Sequence, residues 1–190
     1  MTGSLSKQEK YLLLNTAREA ISHAVNKEPQ NQITLEDLPA ALKIDCASFV
    51  TLTIDGGLRG CIGTMEPYQP LILDVQEHAM AAAMSDFRFS PVQVDELPLI
   101  KIEISRLTPI ERLLFNSSTE LIDALRIDVD GVLMRAGHRS ATFLPQVWKQ
   151  LPKPEEFLSH LCEKMGAAPD YWRSQPMEVY TYQVEKFCEI

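Results

Sequence analysis

The residues best suited to chemistry lie in the hexapeptide LRGCIG, Leu58 to Gly63, which sets Cys61 two positions after Arg59 and brackets it with Gly60 and Gly63. In an extended strand side chains alternate, so Arg59 and Cys61 project from one face. A guanidinium beside a thiol favours the thiolate, which is both the nucleophile and the metal ligand. Gly60 and Gly63 lack Cβ atoms and let a second backbone or a ligand approach that thiol. Backbone N–H groups around Gly63 and Thr64 offer a small anion-binding nest near Arg59. The glycines match neither a P-loop, which needs Gly-Lys-Ser/Thr, nor the dinucleotide fingerprint, which leads straight into a helix. The competing reading makes Cys61 a small buried hydrophobe.

The elements that must position this cysteine begin with a hairpin. Phe49 to Ile54 runs into Asp55-Gly56-Gly57 and then Leu58, a turn signal between two apolar-rich runs. A three-residue loop with Gly57 left-handed sets Ile54 opposite Leu58, Leu52 opposite Gly60 and Val50 opposite Ile62. The apolar residues then collect on one side, with Thr51, Thr53, Arg59 and Cys61 on the other. A two-residue loop mixes Val50 and Leu52 with Cys61, which a half-buried sheet disfavours.

Further along, Ser6 to Glu9 reads as a capping box before an amphipathic helix carrying Leu13, Ala17, Ile21 and Val25. Pro67 and Pro70 introduce a second helix ending near Ser85, and Ile100, Ile102 and Ile104 alternate as a half-buried strand. Ser117 to Glu120 is a second capping-box pattern opening a helix through Leu125. Ile127 and Val129 are expected to pair with Val132 and Met134 across Asp130-Gly131. A short strand Ala141 to Leu144, a helix from Glu155 to Met165 closed by Gly166, and a final strand Val179 to Phe187 complete the reading.

LRGCIG followed by Thr64 resembles the signature of the AMMECR domain family, whose prokaryotic members are often labelled AmmeMemoRadiSam system protein A. Asp86-Phe87-Arg88-Phe89 with Pro91, the Glu96-Leu97-Pro98 step, Ile102 to Ser105, and Thr142 to Val147 extend the similarity in order along nearly the whole chain. One departure is Phe87, where the family pattern more often has proline. The resemblance implies a single domain over residues 1–190: an α/β protein of the α+β type with mainly antiparallel sheets and packed helices. It further implies two unequal lobes, roughly 1–65 with 140–190 and 66–139, with the hexapeptide beside the groove between them. It associates the chain with a Memo-like protein and a radical S-adenosylmethionine enzyme.

Arg88, flanked by Phe87 and Phe89 after Asp86, is read either as a structural ion pair or as a ligand-binding residue. Glu103, on the polar face of its strand, is placed to orient either arginine or simply to face solvent. A catalytic cysteine needs a base, and the candidates are few. His138 falls in a turn expected to be solvent-exposed, His78 on a helix with a polar flank, and His23 and His160 on helix surfaces.

The four cysteines, Cys46, Cys61, Cys162 and Cys188, are scattered without CxxC or zinc spacing, so neither a disulfide framework nor a metal site is expected. No cofactor is implied by this chain, which lacks the three-cysteine motif of radical enzymes and any HExxH pattern. Over 190 residues, 45% hydrophobic and 23% charged, the chain has the composition of a globular protein, and its net charge of −8 argues against general nucleic-acid binding. No window approaches a membrane span, and a cytoplasmic location is expected. The leading functional expectation is an Arg59/Cys61 groove site, with Cys61 a nucleophile or redox thiol and Gly60, Gly63, Thr64, Arg88 and Glu103 as binding residues. Its substrate is expected to be small and anionic or carbonyl-bearing. The rival is a non-catalytic adaptor offering the same groove to a partner protein.

Overall fold

Ser6 caps the first helix, α1 (Lys7–Asn26): its hydroxyl accepts from the Glu9 N–H at 3.2 Å, while the Glu9 carboxylate accepts from the Ser6 N–H at 2.7 Å. The two reciprocal bonds satisfy helix-terminal donors that have no partner within the helix. After the short α2 (Ala40–Lys43) the chain forms a hairpin, β1 (Ser48–Ile54) and β2 (Gly57–Gly63), then α3 (Leu71–Met84) and β3 (Lys101–Leu107). The remaining elements are β4 (Glu111–Leu113), α4 (Ser118–Ala124), β5 (Gly131–Ala136), β6 (Arg139–Phe143), α5 (Pro154–Lys164), α6 (Tyr171–Ser174), β7 (Glu178–Tyr182) and β8 (Val184–Cys188). This computed structural model describes residues 3–174 and 176–189.

The strands form two four-stranded sheets, in the orders β2-β1-β3-β8 and β4-β7-β5-β6. The pairings β1–β2, β1–β3, β4–β7, β5–β6 and β5–β7 are all antiparallel, which gives the expected α/β fold of antiparallel sheets with packed helices.

Two compact units divide the chain: one runs to Thr108 and resumes at Glu185, and the other spans Pro109–Val184. The boundaries expected at 65/66 and 139/140 both fall inside units. α3 lies beyond the first of them, yet its Leu71, Val75, Ala79 and Ala82 join the core made by Leu13, Ala17 and Ile21 of α1 with Val50, Leu52, Ile102 and Ile104. The second boundary cuts the β5–β6 hairpin.

In the second unit Val132, Met134 and Val179 pack with Trp148, Phe157 and Leu161. Trp148 stacks on Phe157 at a centroid distance of 3.7 Å, and its indole N–H donates to the Asp130 carbonyl at 2.7 Å.

Two strand expectations need correction. Residues 127–129 do not pair with β5. The Asp130 side chain, 2% exposed, accepts from the Arg126 N–H and guanidinium, closing a turn that leaves Ile127 and Val129 exposed. The hairpin instead joins β5 to β6 across Gly137 and His138, with Gly137 at φ +61°. The run Val179–Phe187 is also not one strand: it breaks at Gln183, so β7 joins the second sheet and β8 the first.

Candidate functional site

The β1–β2 turn decides where Cys61 points. Asp55 and Gly56 both have positive φ, +50° and +79°, and Ile54 faces Gly57. This is the two-residue Asp-Gly geometry that matches strand twist. The expected three-residue loop with a left-handed Gly57 is therefore absent, and the extra residue appears as a bulge: Thr53 faces Leu58, Leu52 faces Gly60, and Arg59 lies between. Beyond the bulge the expected register holds, with Val50 opposite Ile62 and Thr51 opposite Cys61.

A bulge re-aims the residue it inserts. Arg59 is held by Glu96 in a two-pronged pair, Nε to Oε1 at 2.6 Å and Nη2 to Oε2 at 3.0 Å, which lowers the Glu96 pKa and raises that of Arg59. The sulfur of Cys61 instead meets the Thr51 hydroxyl at 3.3 Å.

β2 is an edge strand, and at Cys61 its outward peptide groups are taken by an ion pair. Asp86 Oδ2 accepts the Cys61 N–H at 2.8 Å, and Arg88 Nη2 donates to the Cys61 carbonyl at 3.1 Å. The same two side chains bind each other at 2.9 and 2.7 Å. Arg88 beside Asp86 holds that carboxyl well below the usual carboxylate range, with the Cys61 N–H adding to the effect. The pair copies the hydrogen bonds of an absent neighbouring strand, so the backbone at Cys61 is fixed from both sides. The Arg88 side chain remains 43% exposed, and the Phe89 ring lies 5.9 Å from the Arg59 guanidinium and 5.6 Å from that of Arg88.

The space the glycines leave is occupied by protein. A Cβ on Gly60 would lie 2.2 Å from the Ala82 carbonyl oxygen of α3, and one on Gly63 would lie 2.3 Å from the Ser48 carbonyl oxygen and 2.4 Å from the Phe49 ring. The Thr64 N–H donates to the Ser48 carbonyl at 3.1 Å, and its hydroxyl accepts from the Glu66 N–H at 3.1 Å. Glu103 faces Thr51 across the sheet and pairs with Lys186 at 2.6 Å rather than with either arginine. The structure thus joins Arg88 to Cys61 and leaves Arg59 and Glu103 with other partners.

Asp86, Glu96 and Thr51 were not among the expected site residues. Thr51 was readable from register alone, and Asp86 from its position two residues before Arg88. Burial pushes Cys46 up to about 11 and raises Cys162, while Cys188 is exposed.

His78, expected on a polar flank, is buried and bonded through Nδ1 to Asp74 Oδ2 at 3.1 Å, an oxygen that also accepts from Ser48. Here the carboxylate sits between hydroxyl and imidazole, whereas a catalytic triad places the imidazole in the middle, so this is not the triad arrangement. No helix among the described residues is long and apolar enough to cross a membrane.

Phe87 is 94% exposed at the second position of a turn closed by the Phe89 N–H to the Asp86 carbonyl at 3.0 Å. Proline favours that position. Phe87→Pro is expected to raise stability by about 0.4–1 kcal/mol by restricting the unfolded chain, read as a higher urea midpoint; a lowered midpoint would show that the turn rejects the proline φ.

Two antiparallel four-stranded sheets with helices, one carrying an edge-strand thiol clamped by an Asp-Arg pair, define the class of fold and site. The chain belongs to the AMMECR1 family, whose model matches residues 14–187. It is 35% identical over 199 residues to protein MK0488 of Methanopyrus kandleri, covering 100% of this chain and 92% of that protein. It is 38% identical over 186 residues to a protein of Methanothermobacter thermautotrophicus, covering 97% and 96%. The crystal structure of the uncharacterized protein PH0010 from Pyrococcus horikoshii superposes with a TM-score of 0.85 at 31% identity, covering 97% of this chain and 93% of that one.

Proposed function

We propose that Cys61 is the working group of this domain, a thiol that takes a small carbonyl-bearing or anionic substrate on the outer side of the β2–β1 hairpin. The observation that carries the reading is the double clamp: Asp86 and Arg88 fix both peptide groups of Cys61 while its sulfur, part-exposed, meets the Thr51 hydroxyl. Preorganisation of this kind is what a nucleophile needs. With a carbonyl substrate the sulfur bonds to the carbonyl carbon, the C=O π bond opens, and the thiol proton ends on the new hydroxyl. Arg88, paired with Asp86 as Arg59 is with Glu96 but far more exposed, 43% against 14%, and bonded to the Cys61 carbonyl, takes the anion-facing part first assigned to Arg59. Gly60, Gly63 and Thr64 serve this reading by shaping the strand, and Glu103 by continuing the polar row beyond Thr51.

The test is native-state alkylation with iodoacetamide, each cysteine followed by mass spectrometry. Cys61 is expected to react faster than the more exposed Cys188, and Cys46, with its thiol pushed up to about 11, slower than an ordinary exposed thiol by roughly two orders of magnitude. Arg88→Met should slow Cys61 and leave Cys188 unchanged. Cys61 reacting no faster than Cys188 would refute the thiol reading.

A second reading, a non-catalytic adaptor, is favoured by Phe87: an aromatic side chain 94% exposed on a turn held by the Asp86–Arg88 pair. A Memo-like or radical S-adenosylmethionine protein would be its partner. On this reading Cys61→Ser retains binding, while Arg59→Ala or Arg88→Ala loses it.

A further inference from the structure

We propose that the cleft between α1 and the edge strand β8 binds a small amphipathic monoanion, an alkyl or aryl carboxylate. It lies at the opposite edge of the first sheet from β2, so it is separate from the thiol site and does not depend on it.

The cleft has a volume of about 580 Å³, within the range of small-molecule sites. Its walls are hydrocarbon: Tyr11 and Leu14 from α1 and Phe187 from β8. Tyr11 is 67% exposed, and an aromatic ring left to solvent beside two other apolar side chains is surface that an apolar tail would cover.

The charges at its rim do not cancel. Lys10 is paired with Glu185 at 2.8 Å, and Glu189 is held by the Arg18 guanidinium. Lys7 also lines the cleft and has no partner among the described residues, which leaves one unmatched ammonium on a chain whose net charge is −8. One ammonium matches the single charge of a carboxylate and leaves part of a phosphate monoester's charge, about −1.5 to −2 at neutral pH, uncompensated. The net negative charge of the protein further disfavours a dianion. Apolar walls, a single free cation and an open mouth together select a monoanion with a hydrocarbon body.

Cys188 lines the same cleft and is exposed, which supplies a reporter; because it also borders Thr51 and Glu103, the Cys61 rate is followed beside it. The full-length protein would be treated with iodoacetamide in the presence of decanoate below its micelle concentration, with decylamine and decanol as cationic and neutral controls. Decanoate is expected to slow Cys188 modification saturably and to leave the Cys61 rate unchanged, while decylamine gives no protection. Lys7→Gln should raise the decanoate concentration for half-protection about tenfold, each variant normalised to its own unliganded rate. Tyr11→Ser, at a position too exposed to threaten the fold, should weaken protection comparably. Equal protection by decylamine, an unchanged half-protection concentration in Lys7→Gln, or parallel slowing of Cys61 would each overturn the proposal.

Discussion

Gly60→Ala is expected to destabilise the first unit by about 3 kcal/mol, at the upper end of what overpacking costs. The added methyl would lie 2.2 Å from the Ala82 carbonyl oxygen, a backbone atom of α3 with no rotamer to change. Relief requires α3 to withdraw from β2, and Ala79, Ala82 and Ala83, all buried, lose contact when it does. Gly57→Ala is the matched control. Its methyl would meet the Ile54 carbonyl oxygen at 3.3 Å, and Gly57 is not among the positive-φ glycines, so its loss should stay below about 1 kcal/mol. Urea denaturation of the two variants reads the difference. Similar midpoints would mean that α3 does not approach β2 so closely, while a larger loss for Gly57→Ala than for Gly60→Ala would favour the three-residue loop with its left-handed Gly57.

That pair of glycines also shows how far the sequence carries. α1, α3 and β3 were legible because each declares itself locally, through a capping box, a proline entry or strict alternation. The face of Cys61 was legible for the same reason: alternating apolar residues fix register, and a bulge at Arg59 leaves that register intact from Gly60 onward. What alternation does not reveal is where one surplus residue is absorbed. Loop and bulge give the same pairing downstream but different directions for Arg59, and that difference separates a thiol partner from a partner of Glu96. Long-range polar contacts carry no spacing signature either: Glu96 is 37 residues from its ion-pair partner Arg59, and Asp86 is 25 from the Cys61 N–H it accepts. The mispaired hairpin at residues 127–134 has a related cause, since a single buried carboxylate, Asp130, converted an apparent strand into a turn.

The Asp86–Arg88 clamp is predicted to be asymmetric, because its members differ in burial: the carboxylate is 2% exposed and the guanidinium 43%. Asp86→Asn removes the buried charge and leaves an arginine that can turn to water, so the expected loss at pH 7 is about 2–3 kcal/mol, below the range for breaking a fully buried pair. Arg88→Met leaves a buried carboxylate with only backbone donors, and its loss should be larger, about 3–4 kcal/mol. The pH dependence follows from the same geometry. Arg88 lowers the folded-state pKa of Asp86 below the unfolded value of about 3.9, so its stabilisation is complete at neutral pH and is lost as pH falls below about 4 toward the folded value. The deficit of Asp86→Asn relative to the natural chain should therefore shrink as pH drops from 5 to 2, measured by urea unfolding at each pH. A deficit independent of pH would show that Asp86 stabilises through shape and not charge. A larger loss for Asp86→Asn than for Arg88→Met would place the burial on the wrong partner, and the fixed backbone at Cys61 would need another cause.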